Sequence, residues 1–283
     1  MLNLDAERPS SAPLEAATLL VLRESPPSGA LEVFFVRRHA ASPFLGGAVV
    51  FPGGKLEAAD GLVTRTNGVA PRAFGSAQFA DNAGHARALA VCACRESLEE
   101  GGILPMVPRV SPDSLTAMRR ALAAGRPLDA LLGQLPDGPE LDTLSLHPFA
   151  RWITPVAETR RFDARFFLTA LPEGQHGDPD HHETVAAVWA SPERMLGAFF
   201  AGDVFLAPPT LRALELLKDA RSLADAFAIA ARQSLLPICP RFVAGAPPLL
   251  AIPGDPLHEE PTPRVDGPTR FVLRDGRFVS ESR

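Results

Sequence analysis

Three cysteines in 283 residues are too few for a disulfide framework, and none is spaced for a zinc site with a second Cys or His. Cys92 and Cys94 form a C-x-C pair inside an apolar helical run. Free cysteine is among the most buried residue types, so both read as buried thiols suited to a reducing cytoplasm. No apolar run reaches the ~18 residues needed to cross a bilayer. Asp5, Glu7 and Arg8 precede only a weakly apolar stretch, which lacks the shape of a secretory signal. The closing Glu281-Ser282-Arg283 is not a peroxisomal address. Positive charge is also short: 28 Lys and Arg against 33 Asp and Glu leave a net charge of −5. That excludes a general attraction to nucleic acid or an anionic membrane. A phosphate-bearing ligand would need a bound cation or a local arginine cluster to offset repulsion. Internal repeats and low-complexity tracts are absent.

What is present supports a full-sized core. Apolar residues make up 46% of the chain, while 29 prolines and 22 glycines call for many loops. Residues 17–22 and 31–37 are short strands around a Pro26-Pro27-Ser28-Gly29 turn, and 47–51 is a third, stopped by Pro52-Gly53-Gly54. Residues 61–81 read as irregular. Residues 84–100 form a helix that Asn82 can cap and Gly101-Gly102 ends. Two helices follow, 114–124 and 128–135, broken by Gly125-Arg126-Pro127, then a loop over 136–148. Strands are expected over 149–154, 165–171 and 184–190, and helices over 192–200, 209–219 and 222–233. The proline-rich stretch 237–268 reads as an extended wrap around the body. Asp275-Gly276 between alternating runs signals a hairpin. This order predicts an α+β chain, a mixed sheet between helices, as one domain over 1–283 with an insertion at 61–81, a helical insert at 105–148 and a C-terminal tail from 237 to 283.

Chemistry concentrates in Arg95-Glu96-Ser97-Leu98-Glu99-Glu100-Gly101-Gly102-Ile103. Glu96, Glu99 and Glu100 stand at i, i+3 and i+4, so their side chains share one helix face and repel by a few tenths of a kcal/mol per pair. A solvated acidic face is the ordinary explanation of such a run. A hard divalent cation is the other, because Mg²⁺ favours carboxylate oxygens and shares its site with substrate phosphates. Arg95, four residues before Glu99, can orient that carboxylate. Upstream, Phe51-Pro52-Gly53-Gly54-Lys55-Leu56 permits close backbone approach and can turn a carbonyl toward a metal.

Together these segments resemble the Nudix box: Gly, five residues, Glu, seven residues, then Arg-Glu-apolar-x-Glu-Glu-x-Gly-apolar. Gly54, Arg95, Glu96, Glu99, Glu100, Gly102 and Ile103 match. Asp60 takes the place of the first glutamate and Ser97 that of an apolar residue. In this chain 34 residues lie between Asp60 and Arg95 where the family has seven, an insertion of 27. Closing so long a loop costs only slowly rising entropy. The split box, the run Ser42-Pro43-Phe44-Leu45-Gly46-Gly47-Ala48-Val49-Val50 before it, and later Trp152-Ile153-Thr154-Pro155, residues 159–167 and Leu206-Ala207-Pro208-Pro209-Thr210 are similar to the acyl-CoA diphosphatase subgroup, which includes a mammalian peroxisomal enzyme and bacterial relatives. The likeness runs from about residue 15 to 235. A coenzyme A motif is partly present: Gly47 and Phe51-Pro52-Gly53-Gly54 fit, and Pro43 stands where an arginine would.

The resemblance implies a Nudix-type α-β-α sandwich and an enzyme cutting a pyrophosphate bond with Mg²⁺ or Mn²⁺. It implies Glu96, Glu99, Glu100 and the Gly54 carbonyl as metal ligands and Glu99 or Glu183 as the base. CoA or acyl-CoA is the first substrate; ADP-ribose, NADH and dinucleoside polyphosphates are alternatives, as is a non-catalytic nucleotide-binding Nudix module. A homodimer is compatible with it. Arg37, Arg38, Arg160, Arg161 and Arg165 are candidate phosphate contacts, since guanidinium forks suit phosphate; ordinary surface ion pairing with Glu158 or Asp163 is the alternative. His181 and His182 lack spaced partners for zinc. The apolar residues of 111–135 are a candidate shelter for an acyl chain, or simple packing.

Overall fold

In the computed structural model, residues 4–5, 11–26, 28–41, 45–75, 78–179 and 184–282 are described. The order is β1 (Leu14–Glu24), β2 (Leu31–Arg38), β3 (Val49–Val50), β4 (Gly53–Lys55), α1 (Ala83–Gly101), β5 (Met106–Val107), α2 (Pro112–Ala123), α3 (Leu128–Leu132) and β6 (Glu140–Leu141). Then come β7 (His147–Ile153), β8 (Phe162–Ala170), β9 (Thr184–Ala190), α4 (Pro192–Ala201), α5 (Pro208–Leu217), α6 (Leu223–Arg232), β10 (Pro237–Ile238), β11 (Arg241–Val243), β12 (Leu249–Ala251), β13 (Arg270–Arg274) and β14 (Arg277–Glu281).

The main sheet has eight strands with the path β10-β7-β8-β1-β2-β3; β4 pairs with β1 and β9 with β2. It is mixed, because β1 runs parallel to β8 but antiparallel to β2 and β4. Side-chain alternation along each strand splits its apolar residues between two cores. Leu19, Val21, Phe34 and Val36 face α1; Leu20, Leu22, Val33 and Phe35 face α4, α5 and α6. A strand covered on both faces reads as a nearly continuous apolar run, which is what Thr18-Leu19-Leu20-Val21-Leu22 is. The α-β-α sandwich is therefore present.

α1 is almost wholly buried. Its alanines, with Cys92 and Cys94, keep it thin enough to lie between the sheet and α2. Asn82 caps it by accepting from the His85 amide at 2.9 Å. Gly102, at φ 66°, ends it in the left-handed conformation. Burial pushes both thiols up from their usual range. The insertion at 61–81 is irregular apart from 3₁₀ turns, yet Val63, Phe79 and Ala80 belong to the α1 core. The ring of Phe79 meets that of Phe167 edge-on at 5.2 Å. Arg72 donates to the carbonyls of Ala230 and Gln233 at 2.9 and 2.6 Å, tying the insertion to α6.

Two expectations change. Gly53-Gly54-Lys55 is a strand paired with Ala16–Thr18, not only a turn. The tail is not a plain wrap: β10 adds a parallel strand beside β7, and β11-β12-β13-β14 form a separate antiparallel sheet. Its Leu250, Ile252, Phe271 and Phe278 enter the α4–α6 core. Arg212 of α5, 1% exposed, anchors it through the carbonyls of Asp266 and Pro268 at 2.7 and 2.6 Å. Asp275 and Gly276, at φ 47° and 76°, make the two-residue hairpin turn.

Candidate active site

The C-terminal half of α1 carries the acidic trio, and Arg95 organises it. Its guanidinium grips Asp60 with two bonds, Nε to Oδ1 at 2.8 Å and Nη2 to Oδ2 at 3.0 Å. Nη2 also donates to the Lys55 carbonyl at 2.9 Å. Nη1 donates to Glu96 Oε1 at 2.8 Å and to Glu99 Oε2 at 3.1 Å. Arg95 thus joins β4, the start of the box insertion and the helix. The shorter acid at position 60 does not weaken the contact; Asp60 is 1% exposed and makes a bidentate pair. Its Oδ2 also accepts from the Glu57 amide at 2.9 Å. Glu100 accepts from the Gly53 amide at 3.0 Å and lies 3.8 Å from an Arg38 nitrogen.

Within this ion-pair cluster acids outnumber bases. Asp60, Glu96, Glu99 and Glu100 face two guanidiniums, Arg95 and Arg38. Burial, helped by the neighbouring Glu99, pushes the Glu96 carboxyl up to about 7 against the pull of Arg95. Burial likewise raises Glu99, again opposed by Arg95. Burial works against the charge on Arg95 itself, but Asp60 and Glu96 outweigh it and hold the guanidinium protonated. Among the described residues no three acidic, His or Cys side chains form a ready-made metal cluster. The reason is visible: Glu96 and Glu99 are turned onto Arg95, and Glu100 onto the Gly53 amide. All three nevertheless line one cavity of about 1170 Å³, with Gly54 beside them. Clustered carboxylate oxygens with a backbone carbonyl beside them are the donor set that fits a hard cation.

The candidate arginines divide. Arg38 and Arg160 line the cavity, and the Nε of Arg38 is buried without a hydrogen-bond partner among the described residues. Arg37, Arg161 and Arg165 are not in its lining. Arg165, 2% exposed, donates to the Phe79 carbonyl at 2.9 Å and pairs with Asp163 at 3.1 Å, clamping the box insertion to β8. Arg161, 8% exposed, donates to the Thr154 carbonyl at 3.0 Å. Both make internal contacts and neither lines the cavity. Arg37 is exposed on β2. Glu183, His181 and His182 lie outside the described residues. Phe166 lines the cavity while Phe167 is core. Leu115, Met118, Leu122, Leu128, Leu131 and Leu132 of the helical insert pack into the α1 core, so they are closed to an acyl chain. What the insert presents to the cavity is Thr116, Arg119, Arg120 and Ala123, so its charged contribution is the two arginines. The Nε of Arg119 donates to the Glu99 carbonyl at 2.9 Å. Sequence reasoning missed both, and the only local signal was two arginines on the polar side of α2.

β4 sets the approach of backbone to carboxylate. A methyl group on Gly53 would stand 2.7 Å from the Ala17 carbonyl and 2.9 Å from the Thr18 Cα, both main chain. One on Gly54 would collide with the Glu96 carboxylate. Gly53→Ala is therefore expected to push β4 off β1 and lower kcat/KM by at least about tenfold, since an ångström of misplacement costs that much or more. A variant with wild-type kinetics would show that the close approach is dispensable.

Similarity to known proteins agrees with this geometry. The family profile described as the NUDT19 Nudix domain matches residues 10–217. The acyl-coenzyme A diphosphatase NUDT19 of Homo sapiens is 30% identical over 89% of this chain and 80% of its own length. That of Gallus gallus is 28% identical over 88% and 78%. A crystal structure of a NUDIX hydrolase from Alicyclobacillus acidocaldarius superposes with a TM-score of 0.63 at 30% identity, covering 80% of this chain and 98% of that one. With a divided Nudix box rejoined in space by the Arg95–Asp60 pair, this chain belongs to the NUDT19 family of Nudix hydrolases.

Proposed function

We propose that the protein hydrolyses the diphosphate of coenzyme A and its acyl esters, giving adenosine 3′,5′-bisphosphate and a phosphopantetheine product. The carrying observation is one cavity that holds Glu96, Glu99 and Glu100 together with Arg38 and Arg160, in a chain whose relatives bear the acyl-coenzyme A diphosphatase name. A bound Mg²⁺ or Mn²⁺ would neutralise the diphosphate and acidify the attacking water.

The chain's own residues do the rest. Glu96, Glu99, Glu100 and the Gly54 carbonyl are the ligand set for that cation. Arg95 keeps the carboxylates close, and its pair with Asp60 fixes where they start from. Arg38, with a spare Nε–H, is the phosphate contact nearest Glu100. Arg160 is a second, and Arg119 and Arg120 suit the adenosine bisphosphate end. Glu99, a third exposed at its side chain, is the candidate to take the proton of the attacking water; Glu183 is the other. Burial of free Cys92 and Cys94 supports a reducing compartment such as the cytoplasm. No helix among the described residues is long and apolar enough to cross a membrane.

A screen with Mg²⁺ across CoA, acyl-CoA, ADP-ribose, NADH and diadenosine polyphosphates, read by mass of the products, tests the reading. Adenosine 3′,5′-bisphosphate from CoA species is expected; turnover confined to the other substrates would refute it. Acid should weaken cation binding. With its pKa raised to about 7 by burial, Glu96 holds a proton below that pH, and a cation must displace it. Mn²⁺ affinity is thus expected to rise up to about tenfold per unit as pH climbs from 6 to 7, then level off. Glu96→Gln should flatten that slope, and a flat wild-type profile would contradict the assignment.

A further inference from the structure

The cavity reaches past the acidic helix onto the other face of the sheet, where its chemistry changes. Strand register builds a floor there. Ala16 of β1 lies opposite Ala164 of β8, and Ala164 lies opposite Trp152 of β7. Two residues along β8 in either direction, on the same face, stand Phe162 and Phe166. Two adjacent alanines between two phenylalanine rings leave a trough, and all five residues line the cavity.

The same lining adds apolar residues from the start of α5, Ala207-Pro208-Pro209 followed by Thr210, and Pro240 and Leu250 from the tail. A helix N-terminus ordinarily offers amide donors to anions. Here prolines fill the first two helical positions of α5 and remove two of those donors. Pro240 and Leu250 come from the C-terminal segment, beyond the matched residues 10–217. Arg160 stacks on Phe162 with its guanidinium carbon 5.5 Å from the ring centroid. The carboxylates and Arg95, Arg119 and Arg120 come from α1 and α2, on the opposite face.

We propose that this arm holds the acyl chain of a CoA ester, with Ala164 and the C-terminal Leu250 as specificity-determining residues. The inference rests on the hydrolase reading above and adds to it where the chain lies. One cavity would then take the diphosphate against the glutamates and the chain in the trough. Each methylene buried is worth about fourfold in binding, so the arm favours long-chain over short-chain esters.

Ala164→Phe tests this, because the new ring would fill the trough between Phe162 and Phe166. The ratio of kcat/KM for palmitoyl-CoA to that for acetyl-CoA should fall at least about tenfold, the worth of roughly two methylenes. A second readout needs no variant of the trough. The protein has two tryptophans, and in a Trp189→Phe background the emission of Trp152 should be quenched by a doxyl-labelled stearoyl-CoA but not by CoA. Turnover of CoA esters with an unchanged ratio in Ala164→Phe, or unquenched Trp152, would overturn the inference alone. No turnover of any CoA ester by the unaltered protein would overturn the functional reading and this inference with it.

Discussion

Glu99→Gln is expected to lower kcat on a CoA substrate by about 10³-fold or more while leaving the fold intact. A candidate base contributes about 10²–10⁴ by itself, and loss of a ligand carboxylate adds to that through weaker stabilisation of the developing charge. Stability should move the other way. Burial raises the Glu99 pKa above its ordinary value, so the ionised group opposes folding at neutral pH. A neutral isostere removes that opposition, and a thermal midpoint equal to or slightly above wild type is expected, the trade usual at active sites. Steady-state kinetics beside calorimetry check both parts. Residual activity above a tenth of wild type would remove Glu99 from the chemistry. A large drop in thermal midpoint would make its role structural.

Arg95→Met is expected to cost stability as well as activity. Asp60 and Arg95 are 1% and 6% exposed, and removing one partner of such a pair strands a buried charge, at about 3–5 kcal/mol. For a chain of this size that lowers the thermal midpoint by on the order of 10 °C. The double variant Asp60→Asn with Arg95→Met should regain part of the loss, because Asp60 is no longer a stranded charge while Glu96 and Glu99 still lack their partner. Arg95→Lys should regain less, since an ammonium cannot bridge Asp60, Glu96, Glu99 and the Lys55 carbonyl as the planar fork does. Additive single and double effects would mean that the pair is not coupled.

The same pair shows what the chain discloses before it folds. The acidic trio and its helix are legible because every determinant is local: Asn82 at one end, Gly102 at the other, and carboxylates at helical spacing between. The two-faced strands β1 and β2 and the Asp275-Gly276 turn are legible for the same reason. The partner of Arg95 is only half legible. Asp60 is identifiable by its place in an interrupted motif, but its bidentate grip depends on Val63 and Phe79 docking the insertion into the core. The arginines are not legible, because charge says nothing of direction: Arg165 points into a clamp with Asp163, while Arg38 opens to the cavity. The trough is invisible in the sequence, since Ala16, Ala164 and Trp152 meet only through the register of three strands distant in the chain. The tail concealed its strands behind prolines that fall mostly at their ends and in the loops between them.

The central claim is that Glu96, Glu99 and Glu100 leave Arg95 and the Gly53 amide to gather a divalent cation against a diphosphate. An anomalous difference map from crystals grown with Mn²⁺ and a non-hydrolysable CoA analogue tests it most directly. The account requires a manganese peak within ligand distance of the three carboxylates and in contact with the bridging phosphates. Ordered analogue with no peak there, and with Glu96 and Glu99 still bonded to Arg95, would contradict it.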